Sequence, residues 1–272
     1  MTLTRRTISP PTRLELLSLI ERLAQAARAP TLSQFRTADL QADNKAGNAG
    51  FDPVTAADRA AEAAIRAILA ASRPQDGVLG EELGAVPSRS GLRWIIDPID
   101  GTRGYLSGTP TWGVLIALAD ADGPFLGVID QPYIGERFLG GLGVAQLTGP
   151  AGTATLRTRA PRPLCRATLF TTFPEIGTDA EAAAFARVAA RARLTRYGMD
   201  CYAYALLAAG QIDLVIEAGL HVHDIAAPLA VIEAAGGIVT DWQGGPAAQG
   251  GQVIAAANAA IHAEALAALA GA

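Results

Sequence analysis

Asp97 and Asp100 stand three residues apart in Trp94-Ile95-Ile96-Asp97-Pro98-Ile99-Asp100-Gly101-Thr102, directly after a short apolar run. Pro98 stiffens the turn and removes one backbone donor. Gly101 permits a backbone conformation or a close approach that a side chain would block. A helix starting near Thr102 leaves the N–H groups of Gly101 and Thr102 as an anion site beside two carboxylates. Carboxylates beside an anion site repel phosphate unless a hard cation lies between them. Carboxylate oxygens, a backbone carbonyl and water are what Mg²⁺ takes, and it usually shares its shell with substrate phosphate. Taken alone, these residue types also make ordinary turns and helix caps.

Two further acidic elements flank this one. Gly80-Glu81-Glu82 follows the apolar pair Val78-Leu79, and by itself reads as a solvated loop. His223-Asp224-Ile225-Ala226-Ala227 precedes a helix closed by Gly236-Gly237. There Asp224 by itself reads as an N-cap, and Pro228 confines the regular helix to a start near Asp224. Cys165 and Cys201 form no disulfide framework in a chain of 272 residues and read as core side chains.

Together these elements resemble the inositol monophosphatase family of Mg²⁺-dependent, lithium-sensitive phosphatases. The family pattern is D-x-V-T-x-x-D, then G-E-E, then D-P-[IL]-D-G-T, then D-x-A-A…G-G. Here it reads Asp52-Pro53-Val54-Thr55-Ala56-Ala57-Asp58, Gly80-Glu81-Glu82, Asp97-Pro98-Ile99-Asp100-Gly101-Thr102 and Asp224-Ile225-Ala226-Ala227…Gly236-Gly237, in that order across residues 40–240. The resemblance implies a layered αβαβα sandwich of the inositol monophosphatase and fructose bisphosphatase type. It implies two or three Mg²⁺ per active site. Glu81, Asp97 and the Ile99 carbonyl hold the first ion, Asp97, Asp100 and Asp224 the second, with a weaker position beside Glu81. Asp58 and Thr102 then form a hydrogen-bonded pair that, with Glu81, orients a metal-bound water for attack on phosphorus. The N–H groups of Gly101 and Thr102 bind phosphate oxygens, and Arg103 follows them as a substrate contact. Lys45, the one lysine of the sequence, lies in the loop where the family has a lysine near the metals. The spacing is two residues longer here, and an exposed loop lysine is the alternative.

Three stretches resemble the histidinol-phosphate phosphatase branch: Arg103–Gly113, Gly198–Tyr204, and the loop Asn44–Asp52. Histidinol phosphate carries an ammonium and an imidazole, which carboxylates recognise through charge-assisted hydrogen bonds. Asp200 and Glu217 are the candidates, although Asp200 also fits a helix cap. The enzyme alternatives are an inositol-1-monophosphatase or a broad sugar-phosphate phosphatase. A nucleotide 3′-phosphatase or fructose bisphosphatase relative lacks an obvious second basic pocket here, apart from Arg103 and Arg196. A non-catalytic binder would be missing one of Glu81, Asp97, Asp100, Asp224, Asp58 or Thr102, and all six are present. His223 departs from the pattern, because an aromatic residue usually precedes the metal aspartate. It and His221 read as helix-start residues in preference to ligand contacts.

These groups need elements to hold them. Apolar spacing predicts helices over 11–28 and 55–71, the second capped by Thr55. Strands are expected at 92–96, 112–119 and 124–130, the last two joined as a hairpin. The glycine-rich stretch 139–153 reads as a boundary between an N-terminal α+β half (1–145, with the metal motifs) and a C-terminal α/β half (146–272, with the last metal aspartate and the substrate contacts). In the second half, strands are expected at 167–172, 212–218, 238–241 and 252–257, and helices at 178–193, 200–209, 225–235 and 259–270. The formal net charge of −4 argues against a nucleic-acid partner. No apolar stretch is long enough for a membrane span, and the N-terminus lacks the apolar region of a signal peptide. A cytoplasmic protein acting on a small phosphate ester is the expectation, and the family resemblance implies a homodimer.

Overall fold

The computed structural model describes residues 8–38, 40–44 and 53–271. Helix α1 (Pro10–Gln34) starts behind Ser9, whose side chain accepts a hydrogen bond from the Thr12 amide. It runs past Pro30, beyond the expected end at 28, and the buried Thr31 hydroxyl donates to the Ala27 carbonyl at 2.9 Å. Strands β1 (Ala42–Asn44) and β2 (Pro53–Thr55) pair antiparallel. Helix α2 (Ala56–Ser72) follows, closed at its start by a capping box between Thr55 and Asp58.

Strands β3 (Gly77–Gly80), β4 (Ala85–Val86) and β5 (Arg93–Asp100) lead into a one-turn helix, α3 (Thr102–Leu106). Then come β6 (Gly113–Asp120), β7 (Gly123–Gln131), β8 (Glu136–Gly141), β9 (Val144–Gly149) and β10 (Gly152–Thr155). These form an eight-stranded sheet in the order β10-β9-β8-β7-β6-β5-β3-β4. The chain continues through β11 (Thr168–Thr171), α4 (Asp179–Ala189), β12 (Leu194–Tyr197), α5 (Asp200–Ala208), β13 (Leu214–Leu220) and α6 (Val222–Ala234). It ends with β14 (Ile238–Thr240), β15 (Gly251–Ala256) and α7 (Ala259–Ala270). The second sheet has the order β12-β11-β13-β15-β14.

Three cores stack these elements into five layers. Leu16, Leu23 and Ile65 of α1 and α2 pack on Trp94, Ile116 and Val128 of the first sheet. The other face of that sheet, with Leu115 and Ile129, meets Ala205, Ile225 and Val231 of α5 and α6, and these meet Val215 and Val253 of the second sheet. Phe185 and Ile261 of α4 and α7 cover the far face of that sheet with Leu214 and Ile254. The result is the expected αβαβα sandwich. Asp130, fully buried on β7, ties α1 to the sheet through Arg28 at 2.8 Å and accepts from Arg137 at 2.7 Å.

The stretch 139–153 carries the end of β8, all of β9 and the start of β10, and the chain changes sheet between Thr155 and Thr168. A strand glycine marks close backbone approach as well as a break. A Cβ on Gly140 would lie 2.4 Å from the Val231 Cα, and one on Gly127 would lie 2.6 Å from the Ala227 carbonyl. Helix α6 therefore lies directly on the sheet. The short β12 was also not foreseen. It is an edge strand with mostly exposed residues, so burial leaves no pattern to read. Replacing Gly140 by Val is expected to cost about 1–3 kcal/mol of stability through overpacking, measured as a lower midpoint in urea unfolding.

Candidate active site

In an ordinary strand, residues three apart point to opposite faces. Asp97 and Asp100 escape this because β5 is bulged. Asp97 pairs with Leu115 and Asp100 with Gly113, so three steps on β5 match two on β6. The extra residue returns both carboxylates to one face. Pro98 lies inside the bulge, where a missing N–H costs no ladder bond, and the Ile99 amide donates to Asp97 Oδ1 at 3.0 Å. Gly80 of β3 sits opposite Ile96 of the parallel β5, and the Glu81 amide donates to the Ile96 carbonyl at 3.1 Å. Glu81 thereby arrives beside Asp97.

Glu62 anchors this loop, and its role was not read from the sequence. Its carboxylate accepts from the Glu82 amide at 2.8 Å and the Leu83 amide at 3.2 Å, and pairs with Arg66 at 2.7 Å. The available signal was a carboxylate inside an apolar helical stripe, since Asp58, Glu62, Ile65 and Leu69 share the buried face of α2.

Asp224 comes from the first turn of α6, where the His221 amide donates to its Oδ2 at 2.6 Å. One oxygen each of Asp97, Asp100 and Asp224 lie within 4.8 Å of one another. Ligand atoms of Glu81, Asp97 and His223 do the same. Burial pushes the Asp97 and Asp100 carboxyls well above the usual range, and their mutual repulsion with Glu81 and Asp224 pushes further. Asp224 rises with burial, partly offset by His223. Crowded, desolvated carboxylates are stable when a cation lies among them. This donor set fits a divalent metal.

The expected hydrogen bond between Asp58 and Thr102 is not formed. Asp58 Oδ2 accepts from the Thr55 amide at 2.8 Å and the Thr55 hydroxyl at 2.6 Å, as the capping box of α2 requires. Asp58 Oδ1 is buried with no hydrogen-bond partner among the described residues. The Thr102 hydroxyl donates instead to the Ile99 carbonyl at 3.0 Å. Burial raises the Asp58 carboxyl to about 6 against the pull of the Thr55 bonds.

Glu81, Asp100 and Asp224 open into a cavity of about 330 Å³, which Gly101, Thr102, Arg103, Asp200, Glu217 and His221 also line. Gly101 has φ +82°, and a Cβ there would lie 2.7 Å from the Asp200 Cβ. Both facts require glycine. The Arg103 guanidinium lies 4.9 Å over the ring of Phe173. Asp200 opens α5 in a left-handed conformation (φ +44°), which Asp tolerates better than most residues. Its Oδ2 accepts from the Thr111 hydroxyl at 2.9 Å, and burial raises its carboxyl. The next amide, Cys201, donates to Asp100 Oδ2 at 2.7 Å. Cys201 thus joins a core side chain to a backbone donor on a metal-site carboxylate. Glu217, buried on β13, accepts from the Thr172 amide at 3.0 Å and the Thr172 hydroxyl at 2.6 Å. Burial raises it to about 7. Thr111 and Thr172 are positioning residues that no sequence motif marked. Lys45 and Asp52 lie outside the described residues.

A carboxyl whose folded pKa is raised binds its proton more tightly in the native state. Native stability then falls as pH rises from the ordinary value through the folded one. The window runs from 3.8 to about 6 for Asp58 and from 4.5 to about 7 for Glu217. Chelator-treated protein is therefore expected to melt at lower temperature at pH 8 than at pH 5. Saturating Mg²⁺ is expected to remove most of this loss, since a ligand at a hundred times its Kd contributes about 2.7 kcal/mol. Thermal melts with EDTA and with Mg²⁺ check both.

Comparison with known proteins places the chain. The inositol monophosphatase family profile matches residues 13–272. The "Bifunctional phosphatase IMPL2, chloroplastic" of Arabidopsis thaliana is 40% identical over 228 residues, 79% of this chain and 65% of that protein. The histidinol-phosphatase of Streptomyces coelicolor is 34% identical over 263 residues, 94% of this chain and 97% of that one. The solved structure of an inositol monophosphatase from Zymomonas mobilis superposes with a TM-score of 0.83 at 39% identity, covering 94% of this chain and 98% of that chain. An unbroken family match over nearly the whole length, with the carboxylates gathered at one cavity, means that the chain belongs to the inositol monophosphatase family of phosphomonoester hydrolases.

Proposed function

We propose that this protein hydrolyses histidinol phosphate with the help of two or three Mg²⁺ ions, as a cytoplasmic homodimer. The observation that carries the substrate assignment is the pair of carboxylates, Asp200 and Glu217, on the cavity wall apart from the metal groups. Each is held by a threonine hydroxyl, so each presents its charge in a fixed direction. An ammonium and an imidazole on the substrate match that wall through charge-assisted hydrogen bonds, whereas a neutral polyol gives two such groups nothing to neutralise. The Streptomyces relative, similar over nearly its full length, supports the same reading.

In this reading Glu81, Asp97, Asp100, Asp224 and the Ile99 carbonyl hold the cations. When bound, Mg²⁺ supplies Lewis-acid activation of a water and offsets the charge of the phosphate. The amides of Gly101 and Thr102 orient phosphate oxygens, with Arg103 at the rim. Thr102 and Asp58 align the attacking water together with Glu81. Asp58 Oδ1 is a buried acceptor with no donor among the described residues, and the Thr102 hydroxyl is the donor this reading gives it once the Ile99 carbonyl is committed elsewhere. Lys45, outside the described residues, enters this reading through the family resemblance alone.

Asp97→Asn is expected to lower kcat by about a thousandfold or more, the scale of several kcal/mol that metal stabilisation supplies. Parallel kcat/KM measurements on histidinol phosphate and inositol 1-phosphate test the substrate. Glu217→Gln and Asp200→Asn are each expected to lower kcat/KM for histidinol phosphate about tenfold or more, given about 1.5–3 kcal/mol for a charged hydrogen bond. Their effect on inositol 1-phosphate is expected to be much smaller. If the unaltered enzyme prefers inositol 1-phosphate by about tenfold or more, it is an inositol-phosphate or broad sugar-phosphate phosphatase.

A further inference from the structure

The group formed by Glu81, Asp97 and His223 differs in chemistry from the all-carboxylate group beside it. It pairs two oxygen donors with an imidazole, and the three ligand atoms lie within 4.8 Å of one another. Three observations give the imidazole a directed position. It sits in the first turn of α6, one residue before Asp224, so the helix that delivers Asp224 to the site also delivers His223. Its ring stacks on His221 with centroids 5.2 Å apart and planes 18° apart, which fixes the ring plane. Its Nε2 lies 3.4 Å from Asp224 Oδ1, longer than an ordinary hydrogen bond, while the other Asp224 oxygen is taken by the His221 amide. The ring also lines the same cavity as Glu81 and Asp224.

We infer that His223 is a nitrogen ligand of the Glu81–Asp97 metal position. This makes it a mixed nitrogen and oxygen site that admits a transition divalent ion such as Mn²⁺ as well as Mg²⁺. The reasoning rests on the reading that the carboxylates bind divalent metal. Hard oxygen donors suit Mg²⁺, whereas an added imidazole also suits transition ions that accept nitrogen and carboxylate together. The Asp97–Asp100–Asp224 position, with oxygen donors alone, gains no such tolerance.

Mn²⁺ is the probe, because it accepts both donor types and is paramagnetic. Pulsed EPR of Mn²⁺ bound to the intact protein reads directly whether an imidazole nitrogen is coordinated, without reference to turnover. The expected result is nitrogen modulation in the unaltered protein, its loss in His223→Phe and His223→Gln, and its retention in His221→Phe. Circular dichroism establishes that each variant is folded, and His262 is engaged elsewhere, 2.8 Å from the Thr240 hydroxyl. Calorimetric titration is expected to show about a tenfold or larger weakening of Mn²⁺ binding in His223→Phe, with Mg²⁺ affinity changing much less. Mn²⁺ bound without nitrogen modulation, or modulation surviving in folded His223→Phe, overturns the assignment and leaves the metal reading standing. Failure of the unaltered protein to bind Mn²⁺ overturns both.

Discussion

Repulsion among desolvated carboxylates is the constraint on which this site depends. Asp97 is almost fully buried, and Asp100, Asp224 and Glu81 crowd against it. Each group alone could leave the site by a small backbone shift, and the electrostatics favour such a shift in the absence of a cation. The fold prevents it by fixing each carboxylate through backbone donors: Ile99 for Asp97, Cys201 for Asp100 and His221 for Asp224. The Glu81 loop is held from behind by Glu62. Stability is thereby set against function locally, and the cores on both sides of the first sheet offset the difference. Strain of this kind at a binding site needs a surround that over-determines it.

The bulge in β5 is the smallest device that makes the arrangement possible. Without it, Asp97 and Asp100 would face opposite layers, one toward α2 and the other toward α6. Helix α6 then has to approach close enough to add Asp224, and the strand glycines at 127 and 140 permit that approach. The same close seating brings His223 to Glu81, so the geometry of one helix start decides two donors at once. The second sheet contributes the other end of the cavity. Glu217 lies on its central strand β13, while Asp200 starts the helix that leads into it. Asp97 and Asp100 thus come from the first sheet, Glu217 from the second, and Asp200 and Asp224 from the α5–α6 layer between them.

Much of this was legible in the sequence, for identifiable reasons. The long helices α2 and α7, the hairpin of β6 and β7 and the run into Asp97 carry strong apolar periodicity or turn residues. The metal carboxylates stand in short segments whose residue types have few other uses in combination. What failed shared a cause. The strands in 139–153 were hidden because Gly140 serves packing against α6, about ninety residues away in sequence, and Gly141 and Gly143 serve the turn between β8 and β9. Glu62, Thr111 and Thr172 were missed because their importance lies in contacts to remote backbone and side-chain groups. Asp58 and Thr102 are not bonded to each other here because each side chain has a nearer partner three residues away, Thr55 and the Ile99 carbonyl.

The amino-acid sequence by itself determined the acidic motifs and their order, the family and the class of reaction. These depend on residue type and local spacing, which one-dimensional patterns preserve. Only the tertiary structure decided that Asp97 and Asp100 share a face, that Asp58 keeps a buried oxygen with no donor among the described residues, and that His223 joins Glu81 and Asp97. Each of these is settled by strand register and by how closely α6 lies on the sheet. Register and packing distance arise from long-range contacts that no local pattern encodes.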